Sequence, residues 1–164
     1  MELYLMRHGR AAEGSAWESD FARPLTEDGL EEMRRAGRGL AAAGVRFDLI
    51  LSSPLDRARQ TAEAVGAAQP AGVAIQEIDA LAPGSSFADL ALVLEQARGG
   101  RILLVGHEPD MGRLAARLLG LPAGHTIPFP KGGVARIDAD GIPPQSPGCL
   151  GWLLTARLAG SLAG

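Results

Sequence analysis

The sequence predicts an α/β protein of three layers, with helices on both faces of a mostly parallel sheet. Three observations carry that prediction. Short apolar runs of strand length alternate with longer segments whose apolar positions fall at helical spacing, and this continues through Gly120. The strongest runs stop abruptly in polar clusters with a helix-forming segment beyond, the crossover that parallel strands require. Past Gly120 glycine and proline become dense, and two strand segments with no helix between them read as a pair running partly antiparallel at one side of the sheet.

The first run, Leu3 to Met6, reads as a buried strand delivering Arg7, His8 and Gly9 to its carboxyl end. Gly9 is expected to turn the chain there and to let a ligand approach the backbone. A polar connector, Arg10 to Pro24, holds Trp17, Phe21 and Arg23 and is long for a structureless segment, which is common in functional loops. Thr26 is placed to cap a helix from about Glu27 to Ala43, with Glu27 and Asp28 in its first turn and Leu30, Met33, Gly37, Leu40 and Ala41 on one face. Phe47 to Ser52 is a second buried strand. Ser53 is expected to cap the next helix with Pro54 in its first turn. Arg57 and Arg59 then sit near the positive end of that helix, where cations are unfavourable unless an anion faces them. Val73 to Ile78 is a weaker strand, Asp79 to Ser86 a loop, and Phe87 to Arg98 a helix with Leu90, Val93, Leu94 and Ala97 as its apolar stripe. Arg101 to Gly106 is the strongest strand signal, ending at His107 and Glu108 before a helix over Met111 to Leu119. Val134 to Asp138 and Leu150 to Thr155 are the final strands.

The bulk numbers restrict function. The 164 residues suit one domain, 1–164, large enough for a substantial core. The hydrophobic fraction of 46% and the charged fraction of 21% are ordinary for a globular protein. A net charge of −3 leaves no basic surplus for nucleic acid, so no nucleic-acid partner is expected. No apolar run approaches the ~20 residues of a membrane span, and the first residues do not resemble a signal peptide. The single cysteine, Cys149, excludes an intrachain disulfide and is expected to be buried; a cytoplasmic location is compatible with it.

In an open parallel sheet the carboxyl ends of the strands share one edge, where ligands bind. Three strand ends therefore bring Arg7, His8, Arg57 and His107 together, with Arg23 within reach from the long connector. Two guanidinium groups suit a phosphoryl group. A neutral His8, kept so by the cations beside it, could attack phosphorus to give a phosphohistidine intermediate. His107 could donate to the phosphoryl oxygens in the transition state. The arginines would do the neutralising, so no metal or other cofactor is expected, and they would repel a cation from the two histidines. His125 reads as an exposed loop residue, Arg59 as surface, and Ser52 and Ser53 as strand-end and cap residues outside any Gly-x-Ser-x-Gly elbow.

Leu5-Met6-Arg7-His8-Gly9 resembles the signature of the histidine phosphatase superfamily, the phosphoglycerate mutase-like fold. Leu51 to Thr61 (Leu-Ser-Ser-Pro-Leu-Asp-Arg-Ala-Arg-Gln-Thr) resembles its second motif, and Leu104-Val105-Gly106-His107 its last. Arg23-Pro24-Leu25-Thr26 followed by Gly29 is similar to the short phosphohistidine phosphatases of the SixA type. The resemblance implies His8 as nucleophile, Arg7, Arg57 and His107 as the phosphate pocket, and a contribution from Arg23. Many members also carry a Glu or Asp after the third strand that protonates the leaving group. Here Ala80 falls at or near that position, leaving Asp79 and Glu108 as candidate acids. An alkoxide leaving group needs such a proton, worth ~10²–10⁴-fold, whereas a phosphoramidate can carry its own. The expectation is thus a phosphatase for a phosphorylated histidine-containing protein domain. Small phosphate esters and a non-catalytic phosphate-binding module are the alternatives. The short chain leaves little room for the insertions that cover the site in larger branches, so a shallow pocket is expected.

Overall fold

The computed structural model describes residues 1–14, 17–70 and 72–164. Ser15 and Ala16 of the Arg10–Pro24 connector, and Ala71, lie outside the described residues. In chain order the elements are β1 (Glu2–Arg7), α1 (Glu27–Ala42), β2 (Leu49–Ser52), α2 (Asp56–Gly66), β3 (Ala74–Glu77), a 3-10 turn (Asp79–Leu81), α3 (Phe87–Gln96), β4 (Arg101–Gly106), α4 (Asp110–Leu118), β5 (Val134–Asp138), β6 (Cys149–Leu154) and α5 (Ala156–Ser161). Among these residues the strands form one sheet in the order β3-β2-β4-β1-β5-β6. The first four run parallel; β5 is antiparallel to β1, and β6 to β5. The expected three-layer α/β architecture, with its antiparallel side, is what the chain adopts.

β1, β2 and β4 are buried on both faces because helices cover both, which is why they read as continuous apolar runs. One face carries Leu3, Leu5, Leu51, Ile102 and Leu104 against α3 and α4. The other carries Tyr4, Met6, Ile50, Leu103 and Val105 against α1, α2 and α5. Thr26 caps α1 as expected, accepting from the Gly29 N–H at 2.9 Å.

Four details differ from the sequence reading. Helix α2 starts at Asp56 with Leu55 in the capping position, so Ser53 and Pro54 stay outside it. Ser53 Oγ instead accepts the Leu55 N–H at 3.3 Å, a local turn that leaves the hydroxyl proton free. Cys149 is exposed, because β6 is the outer strand of the antiparallel side. A six-residue helix, α5, follows β6 with Thr155 as its cap, in residues to which the sequence reading assigns no element. Gly9 has no positive φ; a Cβ there would lie 2.8 Å from Met33 Cγ and 3.3 Å from Leu25 Cδ2. It is small so that α1 can close over β1, not to turn the chain.

Candidate active site

The ends of β1, β2 and β4 form adjacent rungs of one sheet edge, since β4 lies between β2 and β1. The register pairs Arg7 with Gly106, and Ser52 with Val105, so His8 and His107 both follow the last rung. Their ring centroids are 5.1 Å apart at an interplanar angle of 53°. Both rings are buried, at 7% and 4% exposure. Of the residues expected at the site, Arg7, His8, Arg57 and His107 are therefore brought together.

Each imidazole has one nitrogen occupied. His8 Nδ1 donates to the Gly9 carbonyl at 2.7 Å, which places the lone pair of the neutral ring on Nε2. His107 Nε2 is 2.8 Å from Ser53 Oγ. Among the described residues His107 Nε2 is the one acceptor within reach of that hydroxyl's proton, so the buried hydroxyl is assigned as donor to Nε2, which leaves the His107 proton on Nδ1. Burial pushes His8 down to about 3, with the charges of His107, Arg57 and Arg7 adding to it and the Gly9 carbonyl opposing. Burial likewise pushes His107 down to about 4; Arg57, Arg23 and Arg7 add, and Asp20 opposes. The arginines do lower His8, as expected, but desolvation is the larger cause.

The guanidinium groups are anchored at one side only. Arg7 Nη1 donates to the Phe129 carbonyl at 2.9 Å. Arg57 donates through Nη1 to the Asp20 carbonyl at 2.7 Å and through Nη2 to Asp20 Oδ2 at 2.9 Å. Arg7 Nε, Arg57 Nε and His107 Nδ1 are buried with no partner; among the described residues the remaining atom of this kind is Gln69 Nε2. An unpaired buried donor costs about 1–3 kcal/mol, so three in one cluster mark a place that an anion would satisfy. Thr61, fully buried, ties the arrangement together: Oγ1 donates to the Arg57 carbonyl at 2.7 Å and accepts the Gly9 N–H at 3.0 Å.

Arg23 reaches this cluster only through Asp20, with Nη2 3.0 Å from Asp20 Oδ1. Asp20 was not anticipated. It bridges Arg57 and Arg23, and although burial opposes, the hydrogen bond and charge of Arg57, then those of Arg23, hold its carboxyl below the usual range. Asp79 is exposed on the turn after the edge strand β3, and its carboxylate makes no hydrogen bond to the cluster. Glu108 Oε1 accepts the Phe129 N–H at 2.7 Å. His125 is exposed and Arg59 pairs with Asp56 and Glu63, both as expected.

Residues 3–82 match the profile of the histidine phosphatase superfamily (branch 1). A curated relative, the phosphohistidine phosphatase SixA of Escherichia coli, is 31% identical over 144 residues, covering 85% of this chain and 86% of its own. The chain belongs to the histidine phosphatase superfamily. It is of the SixA type within it, and a phosphatase. An uncharacterised protein of Picosynechococcus is 39% identical over 149 residues, covering 85% of this chain and 90% of its own. Among solved structures, the protein histidine phosphatase SixA complexed with tungstate superposes with a TM-score of 0.81 at 28% identity, over 96% of this chain and 99% of that one.

Proposed function

We propose that this phosphatase hydrolyses phosphohistidine on a protein substrate through a phosphoenzyme on His8. The observation that carries the reading is His8 itself: buried, neutral, its Nδ1 proton held by Gly9 and its Nε2 lone pair free, beside unpartnered donors of Arg7, Arg57 and His107. In the first step the Nε2 lone pair forms a bond to phosphorus. The P–N bond of the substrate breaks, and its electron pair stays on the departing nitrogen. A phosphohistidine protonated on its other ring nitrogen leaves as neutral imidazole and needs no proton from the enzyme. Arg7, Arg57 and the His107 Nδ1–H hold the equatorial oxygens through the transfer. In the second step water bonds to phosphorus, the P–Nε2 bond breaks with its pair returning to His8, and both water protons leave on the dihydrogen phosphate.

The carboxylates support a P–N substrate. Asp20 is kept ionised by its two arginines, Glu108 is committed to Phe129, and Asp79 points to solvent on an edge turn. None is arranged as an acid for an alkoxide. The SixA relative is named for the same activity. Trp17 and Phe21, on the connector that delivers Asp20, are 40% and 51% exposed, apolar surface that a protein substrate would cover.

Incubation with a phosphorylated histidine-containing domain and with a panel of sugar and nucleotide phosphates tests the proposal. Turnover of the protein substrate, lost in His8→Ala, with acid-labile phosphate trapped on His8 in the parent enzyme, is the expected result. Turnover of the esters alone would overturn the substrate class, and retained activity in His8→Ala would overturn the nucleophile.

A further inference from the structure

Glu108 stands beside His107 yet faces away from proton transfer, and its contacts lead back to Arg7. The segment Thr126 to Gly133 runs as a strap between α4 and β1. On the α4 side, the Ile127 N–H donates to the Gly112 carbonyl at 3.1 Å and the Phe129 N–H to Glu108 Oε1 at 2.7 Å. On the β1 side, the Gly132 N–H donates to the Arg7 and His8 carbonyls at 3.2 and 3.0 Å, and the Arg7 N–H to the Gly133 carbonyl at 3.1 Å. The Phe129 ring is 2% exposed in the core. Its carbonyl is the acceptor for Arg7 Nη1 at 2.9 Å, and it is the one hydrogen-bond partner that Arg7's guanidinium has among the described residues.

We infer that Glu108 is a positioning residue: by holding the Phe129 N–H, it fixes the carbonyl that aims the Arg7 guanidinium at the phosphoryl group. Both polar groups of Phe129 are engaged, the N–H by Glu108 and the carbonyl by Arg7, so the residue is a two-ended clip. A carboxylate is suited to its end of the clip. A charged acceptor makes a shorter and stronger bond than a neutral one, and it holds the strap where no strand pairing does. The packing leaves the carboxylate little freedom. Glu108 Oε2 lies 3.0 Å from the place a Cβ on Gly112 would take, and that Cβ would collide with Thr126 and with the Ile127 carbonyl. Gly112 is thus the notch into which strap and carboxylate close together. On this inference Glu108, a candidate acid in the sequence, acts on the phosphate-binding cation rather than on the leaving group.

The inference rests on the reading of Arg7 as a phosphate ligand, and its test uses probes independent of the natural substrate. Tungstate affinity and turnover of p-nitrophenyl phosphate are measured in the parent enzyme, E108Q, E108A and the pair R7A and R7A/E108A. E108Q keeps the Oε1 acceptor and is expected to stay within about threefold of the parent. E108A loses it and should bind tungstate roughly tenfold more weakly, which is about 1.4 kcal/mol. In the R7A background the same change should cost less than twofold, which is the mark of an effect transmitted through Arg7. E108L replaces E108A if the alanine variant does not fold. Equal impairment of E108Q and E108A with loss of the alkaline limb of the pH profile would make Glu108 a proton donor and overturn the inference. So would unchanged tungstate affinity in E108A, or an equal cost with and without Arg7. A parent enzyme that neither binds tungstate nor turns over any phosphate would instead defeat the functional reading itself.

Discussion

Thr61 offers a way to separate hydrogen bonding from packing at the site, because valine matches its shape. Its side chain is fully buried, with Oγ1 donating to the Arg57 carbonyl and accepting from Gly9 N–H at 2.7 and 3.0 Å. In Thr61→Val the Arg57 carbonyl keeps its place in the helical ladder of α2. The Gly9 N–H has no such alternative and is stranded in the interior. The cost of one unsatisfied buried donor is about 1–3 kcal/mol. At roughly 2–4 °C per kcal/mol for a chain of this size, the melting temperature should fall by about 2–12 °C. Thr61→Ser keeps the hydroxyl and gives up a methyl, a loss nearer 1 kcal/mol. Turnover should follow the same order, because Gly9 also supplies the carbonyl that fixes the His8 tautomer. Thermal melts and p-nitrophenyl phosphate turnover of both variants are the assay. If Thr61→Val melts with the parent while Thr61→Ser melts below it, methyl packing and not the hydrogen bond matters, and the reasoning fails.

Two further outcomes follow from the charges of the site. His8 and His107 have folded values pushed down to about 3 and about 4, below the unfolded value, so between there and about pH 6.5 the unfolded chain binds more protons and stability must fall as pH drops. Urea midpoints at about pH 5 and pH 7 should show this fall, at most ~1.4 kcal/mol per pH unit for each ring, and His8→Asn should reduce it; an unchanged slope in that variant would contradict a buried neutral His8. Asp20→Asn keeps the backbone carbonyl on Arg57 but removes a carboxylate that competes with any anion for that guanidinium. Tungstate should bind the variant about two- to fivefold more tightly, the effect kept small because the Asp20 side chain is 65% exposed, and weaker binding would show that Asp20 serves to hold Arg57 in place.

The parts of the site legible in sequence are those whose position is set by the strand that carries them. Arg7 and His8 follow an apolar run, His107 follows another, and Arg57 lies one short loop beyond a third, so a parallel sheet brings them together without further information. The rest depends on long-range contacts or on backbone atoms. Asp20 pairs with Arg57 across 37 positions, from a connector with no period to read. The Phe129 carbonyl meets Arg7 across 122 positions, and a backbone acceptor has no residue identity to betray it. Ser53 carried a visible signal, a hydroxyl at a strand end, but the nearby proline invited a capping role. Only the true start of α2 at Asp56 frees it for His107. Gly9 was visible too, and misassigned, because the space it saves belongs to Met33 of α1 and not to a ligand.

That burial, more than the arginines, keeps His8 neutral has a consequence for catalysis. A nucleophile made neutral by cations alone would lose that protection when substrate arrives, since the phosphoryl anion offsets their charge and favours an imidazolium beside it. Desolvation works the other way. A bound substrate displaces water from the strand edge and strengthens the penalty on a charged ring. The fold supplies this without special residues: β1 lies between β4 and β5, with α1 closed over Gly9, so the first residue past the strand is already deep. In the proposed mechanism the arginines are then free to serve the phosphoryl oxygens through their unpartnered Nε atoms, and His8 keeps its lone pair until it attacks phosphorus.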